Sequence, residues 1–431
     1  MFQYDILICI FHRNINIMKI TVNKIITWMG VSFNFDAHYF TKNTFWVLVG
    51  QAIASLAAFI TTVVFANYVP KNIVGDYRLI ISIYSVLTFF ALSGLSAALI
   101  RSIVLGQDGA LYTALAIKKK YGIIAFLVGA GIALYFWVLG GNAIFGISIF
   151  IMSLCLPIIE SYSVYAPYLQ GKHEFKYSSI YTGIIKLVSS LAVISAAYIV
   201  PETIYLIAAF YIAQAIAVYL QYKFLVKRFP PKNNIQDEGM LPYARHTTLA
   251  GVFYMLLGQA DKFIVYHFFG PISLASYWIA STIPQEAGRV VVTALQVAYP
   301  KFVKGDHDII KHILVKKLTT LTLVLLCASL SYTVLAYPFF YIFFPQYVNE
   351  VNKSIVLMFG FAVIPHMFVW QYYTAKRNVK VVYINNIADP VLQVVLYLIL
   401  IPPFGIWGLV YAIFAKTALM NLLAWHVIKK Y

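Results

Sequence analysis

The chain has 431 residues, of which 61% are hydrophobic and 11% charged, with a formal net charge of +17. A water-soluble chain carries roughly 45–50% apolar and about 25% charged residues, so a soluble two-domain protein is excluded. Cys9, Cys155 and Cys327 lie far apart in apolar stretches, with no CxxC or metal-ligand spacing, which argues against a disulfide framework and a structural zinc site; no cofactor is expected.

Apolar runs long enough to cross a hydrocarbon core of roughly 30 Å recur along the chain. In chain order they predict twelve transmembrane helices: Thr44–Ala66, Leu79–Ile100, Tyr121–Leu139, Ala143–Ala166, Ser179–Val200, Thr203–Tyr222, Thr247–Phe269, Ile272–Tyr299, Leu318–Phe343, Ser354–Tyr373, Val381–Leu400 and Ile406–Ile428. Many of the tyrosines and phenylalanines sit near span ends, where aromatic belts form. No alternating ten-residue pattern of an outer-membrane barrel competes. Ahead of the first helix, Met1–Phe11 is apolar but contains Asp5 and lacks a basic leader and a small-residue cleavage site, so it does not read as a signal peptide. It reads either as an amphipathic surface segment or as sequence upstream of a start at Met18.

Basic residues orient the helices. Arg13, Lys19, Lys24 and Lys42 precede the first span. Arg101 and Lys118–Lys120 fall in the second loop, and Lys172 and Lys176 in the fourth. Lys223, Lys227, Arg228, Lys232 and Arg245 fall in the sixth. The eighth and tenth loops and the Lys429–Lys430 tail are basic too, whereas the alternate loops hold only Lys71, Arg78 and Lys353. By the positive-inside rule both termini are cytoplasmic. The same asymmetry assigns the net charge to topology and anionic lipid rather than to nucleic acid.

Six helices per half give a repeat of parallel type. Residues 44–228 form the N-lobe and residues 247–431 the C-lobe, after an N-terminal segment of residues 1–43. Residues 229–246 form a cytoplasmic linker whose hinge stretch, Phe229–Tyr243, contains Pro230, Pro231, Gly239 and Pro242. Gly50-Gln51-Ala52 echoes Gly258-Gln259-Ala260, and the segment from Tyr77-Arg78 echoes that from Tyr277-Trp278.

Ionisable residues inside spans are costly and face a bundle interior or aqueous cavity. Here they are Glu160, Lys186, Asp261, Lys262, Glu286, Arg289, Asp389 and Lys416. At a rise of 1.5 Å per residue they lie roughly 10–22 Å from their cytoplasmic helix ends, forming a midplane layer. Depth and helix order suggest the pairs Glu160–Lys186, Glu286–Arg289 and Asp389–Lys416. Asp261 and Lys262 are consecutive and point about 100° apart, so both cannot face one partner. Structural ion pairing and a functional group around Asp261, Lys262, Glu286 and Arg289 both remain open readings. Pro157, Pro284, Pro338, Pro365 and Pro390 mark kinks or breaks that free backbone carbonyls, and His366 is either a packed histidine or a proton carrier. No HExxH, GxSxG or Walker motif and no paired-carboxylate site is present, so the chain does not read as an enzyme; any active transport must draw on an ion gradient or membrane potential.

Three stretches resemble the MATE-like polysaccharide flippases of the Wzx type. They are Phe45-Trp46 through Gly75-Asp76-Tyr77 to Ser93–Arg101, then Gly258–Val265 with Phe269-Gly270-Pro271, and finally Ala280–Pro284 onward to Tyr299-Pro300-Lys301. With the helix count and the basic central loop, the likeness covers nearly the whole chain from Thr41. It implies an all-α polytopic membrane protein of MATE-like fold, with two six-helix lobes forming a V around a central cavity that works by alternating access. The implied cargo is an undecaprenyl-diphosphate-linked oligosaccharide, an O-antigen or capsule repeat unit, turned from the cytoplasmic to the periplasmic leaflet of the bacterial inner membrane. Membrane lipid, a polysaccharide polymerase and a chain-length regulator are the implied partners. Arg289, Lys262 and Arg101 would face the diphosphate, with Lys186 and Lys416 as further candidates. Asp261, Glu286, Asp389 and Glu160 are the candidates for ion coupling. Four acids could neutralise four cations, which departs from a cationic cavity. Alternatives are a cation-coupled drug antiporter of the same superfamily, a membrane-embedded polymerase, and a non-transporting scaffold.

Overall fold

The computed structural model describes residues 37–304, 307–362, 366–376 and 378–430. The expectations for Met1–Phe11, the start at Met18 and the break at Pro365 lie outside the described residues. The first half comprises α1 (Ala37–Tyr68), α2 (Lys71–Leu87), α3 (Leu95–Val104), α4 (Ala110–Leu134, continued by a π-turn over Tyr135–Leu139), α5 (Ala143–Tyr162), α6 (Tyr165–Gly171), α7 (Phe175–Ile199) and α8 (Thr203–Arg228). The second half comprises α9 (Met240–Ala250), α10 (Val252–Leu257), α11 (Ala260–Lys304), α12 (His307–Phe343), α13 (Val351–Ala362), α14 (His366–Ala375), α15 (Val379–Phe404) and α16 (Ile406–Lys430).

Nine helices among the described residues are long and apolar enough to cross a membrane. The difference from twelve has identifiable causes. The segment Val252–Arg289 counts as one span, yet the backbone leaves helical geometry at Gly270 (φ 81°, ψ 175°). Tyr277 Oη donates to Asp261 Oδ2 at 2.7 Å. In a straight helix those residues would be about 24 Å apart, so the chain reverses at Gly270 and α11 consists of two antiparallel arms. The expected helix Leu79–Ile100 is instead α2 and α3, joined by turns in which Leu92 takes φ 61°. The break is held by Gly94, whose N–H donates to Thr248 Oγ1 at 2.9 Å, and where a Cβ would meet Thr247 and the Ala244 backbone. The expected Ser354–Tyr373 runs as α13 and α14.

Two helices begin earlier than hydropathy suggests. Lys118–Lys120 lie inside α4, and Arg78 lies inside α2, so neither group belongs to a loop. A lysine or arginine lowers a hydropathy average even when a buried partner or an interior cavity accommodates it.

Packing divides by depth. One hydrophobic cluster contains residues of both halves, from Phe65 and Ile80 to Leu274, Phe340 and Phe344. Nearer the basic loops the cores separate. One cluster there holds Leu99, Tyr168 and Leu225, with Met240 and Ala244 of α9. Another holds Tyr372, Val381 and Val427 of the second half alone. From α11 onward the second half therefore joins the first at the end remote from the basic loops and separates from it toward the basic face, where α9 stays packed on the first half.

The remote junction is tight. Tyr266 Oη donates to Asp76 Oδ1 at 2.8 Å, Lys71 Nζ to the Gln346 carbonyl at 2.7 Å, and Asn67 Nδ2 to the Phe343 carbonyl at 2.9 Å. Gly75 permits it: a Cβ there would lie 1.9 Å from the Pro271 carbonyl oxygen.

The stretch between α8 and α9 is fastened to the first half. Asp108 accepts from Lys172 Nζ and from the Lys232 N–H (2.7 Å), Asn233 Nδ2 donates to the Gly106 carbonyl (2.8 Å), and Ser102 Oγ donates to Asp237 Oδ2 (2.6 Å). Burial alone would raise the Asp108 pKa. The hydrogen bonds from Lys172 and Lys232, with their charges, outweigh it and hold the carboxyl below the usual range.

Candidate functional site

Two groups of polar residues occupy the interior. The first lies between the halves, on α2, α7 and the second arm of α11. Arg289 is bonded to Glu286 one turn earlier, as the i, i+3 spacing predicts. Glu286 Oε2 also accepts from Ser55 Oγ of α1 at 2.9 Å, and Gln51 Nε2 donates to that hydroxyl at 3.2 Å. The Arg289 charge opposes those of Lys186 and Arg78, while Asp261 attracts Arg78. The Lys186 side chain is exposed. Arg78 stacks its guanidinium on Trp278 at 4.5 Å, and its Nε is buried without a hydrogen-bond partner.

This grouping corrects the expected Glu160–Lys186 pair. Glu160 is held by Lys118 Nζ at 2.8 Å and accepts from Tyr84 Oη at 3.1 Å. Lys118 lies inside α4 rather than in the expected loop, which brings it within reach of Glu160. With Glu160 committed elsewhere, Lys186 has no acidic partner among the described residues. Arg78 was likewise missed by hydropathy. The available signal was the echo between Tyr77-Arg78 and Tyr277-Trp278: the two matched positions touch, as like positions do beside a pseudo-twofold axis.

The second group lines a cavity of about 330 Å³ within the second half, bounded by Tyr254, Asp261, Tyr277, Asp389, Gln393 and Lys416 among others. Asp389 Oδ1 lies 3.1 Å from Lys416 Nζ, the pairing that depth and helix order suggest. Pro390, immediately after Asp389, and Pro284 also line this cavity. Gln393 donates to the Leu257 carbonyl (3.1 Å) and to Tyr397 Oη (3.0 Å), which ties α15 to the break between α10 and α11.

Asp261 and Lys262, expected to point apart and not to share one partner, also touch each other. Lys262 Nζ approaches Asp261 Oδ1 to 2.9 Å, because a four-carbon stem can fold back on its own helix. The contact lacks hydrogen-bond geometry: Oδ1 has no hydrogen-bond donor, and Lys262 donates to the Gly258 carbonyl at 3.2 Å. The ionic contact is therefore real but poorly directed. Arg101 joins neither group. It is exposed at the basic end of α3 and lies over the Tyr243 ring at 5.6 Å.

The fold defines the class of protein. A structure described as the lipid II flippase MurJ in an inward closed conformation aligns with TM-score 0.72 and 15% identity, covering 89% of this chain and 87% of that one. An outward-facing multidrug resistance MATE family transporter of the MOP superfamily aligns with TM-score 0.64 and 12% identity over 90% and 93% of the two chains. An inward-facing one gives TM-score 0.64 and 12% over 90% and 97%. At such identities the likeness is one of fold: the chain is an all-helical, multi-pass membrane protein folded like these structures. No curated protein matches the sequence. Residues 40–306 match the profile of the family described as polysaccharide biosynthesis protein, and the chain belongs to that family. The resemblance read from the sequence is thus borne out by the family match and, for the fold, by the likeness to MATE and MurJ structures.

Proposed function

We propose that the protein is a flippase for an undecaprenyl-diphosphate-linked oligosaccharide, an O-antigen or capsule repeat unit. It would move this cargo from the cytoplasmic to the periplasmic leaflet of a bacterial inner membrane. Twelve crossings, with α6 and α9 left out, α10 joined to the first arm of α11, the second arm counted separately and each of the pairs α2–α3 and α13–α14 taken as one, put the basic loops and both termini in the cytoplasm. The observation that carries the reading is a charge asymmetry. Four acids inside the spans have a cation against them: Glu160 with Lys118, Asp261 with Lys262, Glu286 with Arg289 and Asp389 with Lys416, while Asp76 of α2 is held by the Tyr266 hydroxyl. Arg78 and Lys186 form no ion pair among the described residues, although the Asp261 charge also reaches Arg78. A cavity between the halves that keeps unmatched cations suits a diphosphate, whose charges cannot enter hydrocarbon bare.

In this reading Arg78, Lys186 and Arg289 grip the diphosphate from both halves, and Arg101 stands at the cytoplasmic approach. Lys262 and Lys416 serve the acids of the second-half cavity, where Asp261 and Asp389 exchange the coupling ion. The divergence toward the basic face makes this a cytoplasm-open arrangement, and the Asp76–Tyr266 junction is the periplasmic closure. Unmatched acids would instead favour a cation antiporter, and the pairing above counts against it.

The test is flipping in proteoliposomes containing a fluorescent undecaprenyl-diphosphate oligosaccharide, read by protection from an impermeant quencher. Wild type should flip, while Arg78→Ala and Lys186→Ala should slow flipping at least about tenfold, the worth of one charge-assisted contact. Flipping unaffected by Arg78→Ala, Lys186→Ala and Arg289→Ala would remove the assignment of these residues. Folded protein that does not flip under either a proton gradient or a membrane potential would remove the function.

A further inference from the structure

A groove of about 700 Å³ runs along the outer surface of the first half between α7 and α8, away from both groups described above. Its walls are apolar, with Ile184 and Val188 on one side and Ile216, Leu220 and Phe224 on the other, and it exists because Ala217 leaves room between them. Its α8 residues recur at spacings of three and four, so they form one helix face. From Ile216 to Arg228 that face measures about 18 Å, close to the depth of one leaflet of a roughly 30 Å hydrocarbon core.

The end nearest the basic face is cationic. Lys227 and Arg228 both line it and both are exposed. Arg228 is oriented by Tyr177, whose hydroxyl accepts from Nη2 at 2.7 Å beneath the guanidinium. Lys227 has no partner among the described residues. About 9 Å deeper by helical rise lies Gln221. It is only 7% exposed, and its Oε1 is buried without a hydrogen-bond partner. A carboxamide without a protein partner in a membrane groove points to a polar atom supplied by the occupant.

We infer that this groove binds one anionic glycerophospholipid of the leaflet on the basic face. Its phosphate lies between Lys227 and Arg228, its glycerol esters lie at the depth of Gln221, and an acyl chain lies along Ala217 and Ile216. The Gln221 Nε2 group, which has no hydrogen-bond partner among the described residues, donates to an ester carbonyl. A polyprenyl chain supplies no polar atom at that depth, and this chooses the phospholipid. Basic pockets between helices on this side of a membrane are recognised hosts for anionic headgroups. The site is independent of the transport reading.

The experiment is native mass spectrometry of the full-length protein in detergent, titrated with dioleoyl phosphatidylglycerol or with phosphatidylcholine of the same chains. Phosphatidylglycerol should be retained preferentially. The double variant Lys227→Gln/Arg228→Gln should lose about thirtyfold in phosphatidylglycerol affinity, the worth of two interfacial cations, with phosphatidylcholine retention unchanged. Gln221→Leu should weaken both lipids, because the ester contact does not depend on headgroup charge. Equal retention of the two lipids by wild type, or no effect of the double variant, would overturn the proposal. So would displacement of phosphatidylglycerol by stoichiometric undecaprenyl phosphate, which would identify the groove as a cargo-tail site. The charge variants lie on the surface, and their thermal unfolding in phosphatidylcholine should match that of wild type.

Discussion

Substituting Gly75 by alanine should open the junction between the halves at the end remote from the basic loops. The new Cβ would stand 1.9 Å from the Pro271 carbonyl oxygen and 2.5 Å from its carbon. Those are backbone atoms of the turn at Gly270, so no side chain can swing aside. Restoring ordinary contact distance requires the halves to part by about 1.5 Å there. The neighbouring Tyr266–Asp76 hydrogen bond, 2.8 Å long, would then exceed the limit of about 3.5 Å for a useful bond. A hydrogen bond to a charged group is worth about 1.5–3 kcal/mol, so its loss alone shifts the closed-to-open equilibrium by roughly ten- to a hundredfold. The assay places a single cysteine at Asn67, itself a junction residue, in a chain lacking Cys9, Cys155 and Cys327, and compares Gly75 with Gly75→Ala in that common background. Alkylation of that cysteine by an impermeant maleimide is timed from the side opposite the basic loops. Gly75→Ala should accelerate labelling at least about tenfold, and Gly75→Val more so. An unchanged rate in correctly folded protein would refute the claim that this close approach keeps the junction shut.

Other outcomes follow from the ion pairs and the fastened linker. Glu160→Gln should destabilise the protein by about 3–5 kcal/mol, because it strands the buried Lys118 charge. The double change Glu160→Gln/Lys118→Met should recover most of that in thermal unfolding, with flipping per folded molecule unchanged. Lys416→Met should abolish ion-driven acceleration of flipping while leaving slow exchange, since it frees Asp389 in the second-half cavity; dependence of flipping on an imposed proton or sodium gradient reads this directly. Asp108→Asn should release the stretch between α8 and α9 and speed its cleavage by trypsin at Lys232. Because the Asp108 pKa is lowered by folding, its contribution is present above the ordinary carboxylate range of about 4 and is lost as pH falls through the depressed folded value. Wild-type cleavage should therefore be flat from neutrality down to that range, and should approach the Asp108→Asn rate only in stronger acid.

Much about this protein was legible without coordinates, and for a simple reason. Hydrocarbon admits few kinds of backbone structure and few charges, so run length and the sidedness of lysine and arginine carry most of the class information. The Glu286–Arg289 contact was readable because it spans one turn of a single helix, and Asp389–Lys416 because adjacent helices happened to agree in depth. What hydropathy could not resolve were cations that belong inside. Lys118 and Arg78 look like loop residues because averaging penalises charge, whereas Glu160 accommodates one and Trp278 the other.

Which cations lack an acid of their own is a property of three-dimensional pairing. Moving Glu160 to Lys118 is what leaves Lys186 unmatched, and no spacing rule contains that fact. The reversal at Gly270, the break at Gly94 and the close approach of Gly75 to Pro271 likewise depend on neighbours far away in the chain. The sequence by itself determined that the chain is a many-helix membrane protein with one basic face and a charged midplane, because burial in lipid acts on each segment separately. Tertiary structure alone decided how the halves meet and which charges face one another, because packing acts on pairs.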